Sequence, residues 1–291
     1  KDEIMRGLAL SGGGIKAAAH IGALKAFEEK NIKFDCVSGA SSGSIIATMY
    51  ALGYSSDDMW KMFKRYCKKI TYIEWKQIFK MIIGLLFTRK LVIDGLNSGK
   101  VIEKIIKEIC KDNQIENINQ IKMPLMISMV DLQKGTVYIA SSKEIRANLL
   151  DNTKYITDIP ISTAVRASCS FPVVFSPCRY DGIQLIDGGT RENLPWKGLK
   201  DIGANEVYGI AFDTILEKNQ CCKNIVEVAA RAMELQGREL SMYEKAGIDH
   251  LININLKKVA LLDSTQIEVL YKMGYEETKK QLKKLESSGK I

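Results

Sequence analysis

Two glycine-rich turns, close together near the start of the chain, carry the residue types best suited to chemistry. Gly39-Ala40-Ser41-Ser42-Gly43 fits the pattern G-x-S-x-G. In that pattern a serine sits on a sharp strand-to-helix turn, with glycines two residues to either side because side chains there would clash. The earlier turn, Ser11-Gly12-Gly13-Gly14-Ile15-Lys16, offers a row of backbone N–H groups at a helix N-terminus, which suits a developing negative charge. A nucleophilic hydroxyl beside an oxyanion site is the equipment of acyl transfer through a serine ester.

A serine hydroxyl needs a base to take its proton. Asp187 is one candidate. It follows a short strand-like run, and Gly188 and Gly189 after it let the backbone approach another loop closely. A carboxylate serves directly as base when a partly desolvated pocket raises its proton affinity. Taken alone, D-G-G reads more simply as a turn. The other candidates are the chain's two histidines, His20 and His250. The order Ser41, Asp187, His250 matches a Ser-His-Asp esterase of the α/β-hydrolase type. However, His250 opens an apolar strand-like run instead of lying in a loop after one, and an elbow at residue 41 leaves little chain for the strands that normally precede it. His20 falls inside a helix, as a packed residue.

Holding such turns requires strands before them and helices after. Gly7 to Leu10 reads as a buried strand, Ile15 to Lys30 as a helix, and Cys36 to Ser38 as a second strand. Together they form a βαβ unit with parallel strands and a right-handed crossover. Ala17, Ala18, Ala19, Gly22 and Ala23 are small enough to press the helix closely on its neighbours. The helix after the elbow carries Ile45, Ile46, Met49 and Leu52 and stops at Gly53. Ser55 and Asp58 resemble a capping box for the next helix. Strands are predicted at 125–130 and 136–140 around a Lys134-Gly135 turn, and at 183–186, 207–212 and 251–256. Helices are predicted at 161–168, near 221–247 and at 264–287. Strands alternating with helices give an α/β architecture. No repeat, low-complexity tract or Pro/Gly linker interrupts it, so residues 1–291 read as one domain, with 59–95 a helical cap inserted within it.

Of the 291 residues, 46% are hydrophobic and 26% charged, a globular composition with ample material for a core. No apolar run is long enough for a transmembrane helix. The start, Lys1-Asp2-Glu3-Ile4-Met5, is too short and charged for a signal peptide. A cytoplasmic protein, peripherally associated with membranes, is the expectation; export stays open because the chain does not begin with methionine. Seven scattered cysteines without C-x-x-C spacing read as reduced, buried residues, and two histidines make no metal site. The net charge of +8 is concentrated: between Met59 and Lys90 nine basic residues face a single acid, Glu74. Aromatic and aliphatic residues interleave with them. That pattern fits a core-packed helix with a solvated lysine face. It also fits an interfacial surface whose Lys61, Lys64, Arg65, Lys68, Lys69, Trp75, Lys76 and Lys80 meet anionic lipid.

The first turn has rival meanings. Gly12, Gly14 and Ala17 after a strand also fit a dinucleotide fingerprint, but that site wants an acid at the end of the second strand, where Gly39-Ala40-Ser41 stands. A Walker-type loop fails on the spacing of Lys16. Four segments taken in order are more specific. These are Gly12-Gly13-Gly14-Ile15-Lys16, Gly39-Ala40-Ser41-Ser42-Gly43, the run from Ala167 to Pro177, and Asp187-Gly188-Gly189-Thr190-Arg191-Glu192-Asn193-Leu194-Pro195. With Thr265 to Lys279 near the end, they resemble the motifs of patatin-like phospholipases over nearly the whole chain. Lys16 stands where that family often has arginine, and Ala17 where glycine is common.

The resemblance implies a three-layer α/β/α sandwich with a mainly parallel central sheet. It implies a Ser41–Asp187 dyad that needs no histidine, an oxyanion hole drawn from Gly12, Gly13 and Gly14, and support from Gly39, Gly43, Lys16, Gly188 and Gly189. The implied substrates are acyl esters of lipids, phospholipid or lysophospholipid, at an anionic membrane surface, with no cofactor, metal or nucleic acid. A non-catalytic module that binds anionic lipid through the basic segment is the other class left open.

Overall fold

The structure is a computed structural model that describes residues 4–70, 79, 93–145, 152–214, 221–222, 225–256, 263–289 and 291. β1 (Arg6–Leu10) runs through the glycine turn and a short 3-10 turn (Gly14–Lys16) into α1 (Ala17–Glu29), then β2 (Cys36–Ala40) and α2 (Ser42–Ala51). The helix predicted from Ile15 therefore starts two residues later, because Gly14 takes a left-handed φ of 59° and the chain tightens before it settles into α1. β1 and β2 pair in parallel, Gly7 opposite Cys36 and Leu10 opposite Gly39, as the βαβ reading requires. α3 (Ser56–Ile70) follows, and Ser55 caps it: its Oγ accepts the Asp58 N–H at 3.1 Å.

α4 (Lys100–Asp112), β3 (Leu125–Asp131), β4 (Val137–Ser141), β5 (Thr153–Ile156) and α5 (Ile161–Ser168) come next. Then follow β6 (Cys178–Tyr180), β7 (Ile183–Asp187), α6 (Lys197–Asp201), β8 (Glu206–Thr214), α7 (Ile225–Glu244), β9 (His250–Leu256) and α8 (Ile267–Ser287). α4, α6, β5 and β6 add to the predicted elements. β5 and β6 are too short to show an alternation. α4 buries Ile102, Ile105, Ile106 and Ile109, a helical stripe.

Among the described residues the sheet runs β5-β4-β3-β2-β1-β8-β9, mostly parallel, with β7 pairing β3 and β6 antiparallel. The strands alternate between two cores. Leu8 and Leu10 face the larger one with Val37, Ile46, Phe27 and Ile106, while Ala9 faces a smaller one with Met126, Ile139, Leu199 and Val207. Helices cover both faces, giving the three-layer sandwich. α1 is braced from outside by α8 at very short range: a Cβ on Gly22 would lie 2.0 Å from the Tyr271 carbonyl oxygen, and one on Gly274 2.0 Å from that of Ala19. No helix of the described residues is long and apolar enough to cross a membrane.

Candidate active site

The register of β3 explains how residues so far apart in sequence meet. β2 runs parallel along one edge of β3 only as far as Ala40 opposite Ser128. From the next residue onward β7 pairs with β3 in the opposite direction, ending with Asp187 opposite Met129. The two strands therefore point their C-terminal ends at each other across neighbouring positions on β3. Ser41 leaves one end and Asp187 closes the other.

Ser41 stands at φ 50° and ψ −129°, a left-handed backbone that a side-chain-bearing residue adopts only under constraint, typically at about 1–3 kcal/mol. The constraint is visible. The Ser41 N–H donates to Ser168 Oγ at 2.8 Å, and its carbonyl accepts the Ser44 N–H at 2.9 Å and the Ser44 hydroxyl at 2.6 Å. Tight packing demands the flanking glycines: a Cβ at Gly39 would come within 2.5 Å of the Gly43 carbonyl, and one at Gly43 within 2.5 Å of the Leu10 oxygen. Ser41 itself remains partly exposed at the head of α2.

Asp187 is 2% exposed. Its N–H donates to the Ser170 carbonyl at 3.1 Å, and its Oδ1 accepts the Gly189 N–H at 2.7 Å. Oδ2 is buried without a well-formed hydrogen bond, while the Ser41 side chain is close enough to act on the carboxyl. Burial pushes the Asp187 carboxyl up to about 7, with the Ser41 side chain and the Gly189 N–H pulling the other way. Gly188 crosses over β3 so closely that a Cβ would meet Ser128 Oγ at 2.1 Å. A carboxylate with a free oxygen and a proton affinity near neutrality, facing a strained serine, can accept a hydroxyl proton.

The first glycine turn lies against this pair: a Cβ on Gly12 would sit 2.9 Å from Ser41 Cβ. Three groups fix the turn. His20 is fully buried and donates Nε2–H to the Ser11 carbonyl at 2.8 Å; burial lowers its pKa to about 4, so it is neutral at pH 7. Phe212 packs tilted against His20 at 4.4 Å between ring centres and leaves no room for a Cβ on Gly13. Asn193 accepts the Gly12 N–H on both its side-chain oxygen (3.0 Å) and its carbonyl (3.3 Å). Here the structure departs from the sequence expectation: the amide of Gly12 is already committed to Asn193, and the amides of Gly13 and Gly14 make no such bond among the described residues. Lys16 ends the 3-10 turn, half-buried.

Asn193 lies within the segment that begins at Asp187, yet nothing in the sequence marks it as a strut. Its own N–H donates to Glu244 Oε1 at 2.7 Å, and the Glu244 carbonyl accepts Trp196 Nε1–H at 2.6 Å. Burial, opposed by the Asn193 N–H and reinforced by the charge of Glu192, pushes the Glu244 carboxyl up to about 7. No sequence signal distinguishes Glu244 from other helix-end glutamates. Arg166 is likewise buried, bonding Ser170, the Ser98 carbonyl and, at 2.8 Å, the Ser176 carbonyl.

His250 is not brought to this site. It opens β9 opposite Tyr208, at the N-terminal end of parallel strands whose C-terminal ends carry Ser41. Of the basic residues, Lys61, Lys64, Arg65, Lys68 and Lys69 form an exposed face of α3 whose other side buries Met59, Tyr66 and Cys67. Trp75, Lys76 and Lys80, and with them most of the cap predicted at 59–95, lie outside the described residues. Among the described residues no group of three or more His, Cys, Asp or Glu is arranged to hold a metal ion.

Comparison with known proteins bears on the same region. A family model for patatin-like phospholipase matches residues 8–200. The chain is 29% identical over 201 residues to an uncharacterized protein, YqhO, of Bacillus subtilis, covering 64% of this chain and 63% of that protein. It is 28% identical over 208 residues to a protein named lysophospholipase NTE1 of Debaryomyces hansenii, covering 71% of this chain but only 12% of that far longer one. In fold it is similar to VipD of Legionella pneumophila, with a TM-score of 0.54 at 17% identity over 97% of this chain and 67% of that one.

Proposed function

The chain belongs to the patatin-like phospholipase family, and on that premise we propose that it hydrolyses acyl esters of lipids, phospholipid or lysophospholipid, with Ser41 as nucleophile and Asp187 as base. The observation that carries the reading is the head-on meeting of β2 and β7 on β3, which sets a strained serine against a buried carboxyl. Ser41 Oγ attacks the ester carbonyl while Asp187 takes its proton. The tetrahedral oxyanion rests on the N–H groups of Gly13 and Gly14. Collapse expels the alcohol, which leaves with the proton from Asp187. Water, deprotonated by Asp187, then attacks the acyl-enzyme, releases the fatty acid and restores the Ser41 hydroxyl. Because the Gly12 amide is spent on Asn193, it serves to hold the turn, not to donate to the substrate.

The test is fatty-acid release from mixed anionic phospholipid and lysophospholipid vesicles in EDTA, with wild type compared against Ser41→Ala. Release by wild type and none above background by the variant supports the scheme. Equal release by both overturns Ser41 as nucleophile. Vesicle binding without release by either identifies a lipid-binding module instead.

In this reading the exposed basic face of α3 recruits the enzyme to an anionic surface. Raising salt from about 0.05 M to 0.5 M should release most of the bound protein from anionic vesicles, since charge attraction at exposed lysines is screened. Co-sedimentation measures it, and salt-independent binding would remove α3 from that role.

A further inference from the structure

We propose that Glu244 is a positioning residue for the reaction at Ser41, holding the first glycine turn in place through Asn193. The inference rests on the acyl-hydrolase reading above and extends it beyond residues 8–200, the span that the family model matches.

The geometry is a chain of short contacts. Glu244 Oε1 accepts the Asn193 N–H at 2.7 Å. Asn193 in turn accepts the Gly12 N–H on two oxygens, at 3.0 and 3.3 Å. Its side-chain oxygen lies where a Cβ on Gly12 or on Gly189 would be only 2.7 or 2.8 Å away. Gly189 carries the N–H that fixes Asp187 Oδ1. Asn193 thus wedges between the turn that supplies the oxyanion donors and the turn that supplies the base, and Glu244 sets where the wedge sits. The carbonyl of Glu244 also accepts Trp196 Nε1–H, so both ends of the 193–196 segment are tied to the last turn of α7. Oε2 of Glu244 is buried, and removal of the carboxyl leaves the Asn193 N–H to relax toward another acceptor. Donors to an oxyanion act only at the right distance, so a small displacement of the turn lowers the rate of the chemical step more than it weakens substrate binding.

The test uses purified full-length protein and a soluble short-chain p-nitrophenyl ester, which separates chemistry from membrane binding. Glu244→Ala should lower kcat by about ten- to a hundredfold with little change in KM. Glu244→Gln, which keeps an oxygen for the Asn193 N–H, should restore most of the rate. Asn193→Ala keeps its backbone N–H but loses the side-chain oxygen. If Glu244 acts through Asn193, adding Glu244→Ala to it should slow the enzyme by less than Glu244→Ala slows wild type. Independently of turnover, amide hydrogen exchange in peptides covering Ser11 to Lys16 should quicken in Glu244→Ala and not in Glu244→Gln. An alanine variant with wild-type kcat and wild-type exchange overturns the proposal, as does a glutamine variant as slow as the alanine one. Should the wild type itself hydrolyse no ester, the acyl-hydrolase reading fails, and the exchange measurement still decides whether Glu244 holds the turn.

Discussion

Asp187→Asn is expected to lower kcat by about 10³–10⁴-fold while making the protein more stable at neutral pH. Both effects come from the same burial. The amide is isosteric with the carboxyl, and its oxygen can keep the Gly189 N–H, so the turn is preserved. What disappears is the capacity to accept the Ser41 proton. In the proposed scheme Asp187 must be ionised to act as base, so kcat should rise with pH through the value near 7 to which burial pushes the carboxyl, and level off above it.

Stability runs the other way. The folded state holds the Asp187 proton more tightly than the unfolded chain, whose carboxyl titrates near 3.8. As pH rises between those values the unfolded state releases its proton first, so wild type loses stability across that window, by at most about 4 kcal/mol. Asparagine does not titrate. The gain of the variant over wild type should therefore be absent below about pH 4 and complete above about pH 7, at a few °C of melting temperature per kcal/mol. Thermal melts at pH 4 and pH 8, run beside initial rates, check both halves. Activity within about tenfold of wild type would remove Asp187 from the role of base. An inactive variant without a stability gain would mean that the buried carboxyl is compensated in a way the structure does not show.

Gly22→Ala and Gly274→Ala should each destabilise the fold by about 2–4 kcal/mol, and the pair together by clearly less than the sum. At each site the added methyl would meet a carbonyl oxygen of the opposite helix at 2.0 Å, with backbone and not a movable side chain in the way. Either substitution forces α1 and α8 apart, and once one has done so the other finds room. A melting-temperature loss of roughly 5–10 °C for each single variant is the corresponding scale. Because α1 carries His20 beneath the glycine turn, residual folded protein should also show a reduced rate. Single variants that melt with wild type would show that the two helices can slide at this crossing without penalty.

The candidate nucleophile and base were legible because their chemistry is written locally. G-x-S-x-G and D-G-G each need glycine at fixed offsets from the functional residue, and the structure shows the carbonyls and hydroxyls that exclude a Cβ there. The βαβ unit and most later strands were legible for a similar reason, since apolar runs broken by turn residues carry their own periodicity. The register was not. Nothing around Ile183–Asp187 announces that this strand runs against β3 and takes over its edge where β2 stops. Nor does a row of glycines tell which amides are free. That depends on Asn193, 181 residues from Gly12 along the chain, and through it on Glu244. Long-range partners chosen by packing leave no local pattern to read. The helical setting of His20 is plain from the sequence, but its grip on the Ser11 carbonyl belongs to the same class of invisible contact.

The division of the site between two strands that meet end to end also governs when it comes into being. Ser41 and the glycine turn are made before Asp187, and β1, β2 and β3 can pair before β7 has been made. Asp187 arrives only when β7 has been translated and has found the vacant stretch of β3 beyond Ser128. In the proposed scheme a growing or truncated chain that stops short of this strand carries a nucleophile with nothing to take its proton. On that scheme, ester cleavage waits for the later segment to close the sheet, since folding of the earlier strands alone brings no base to Ser41.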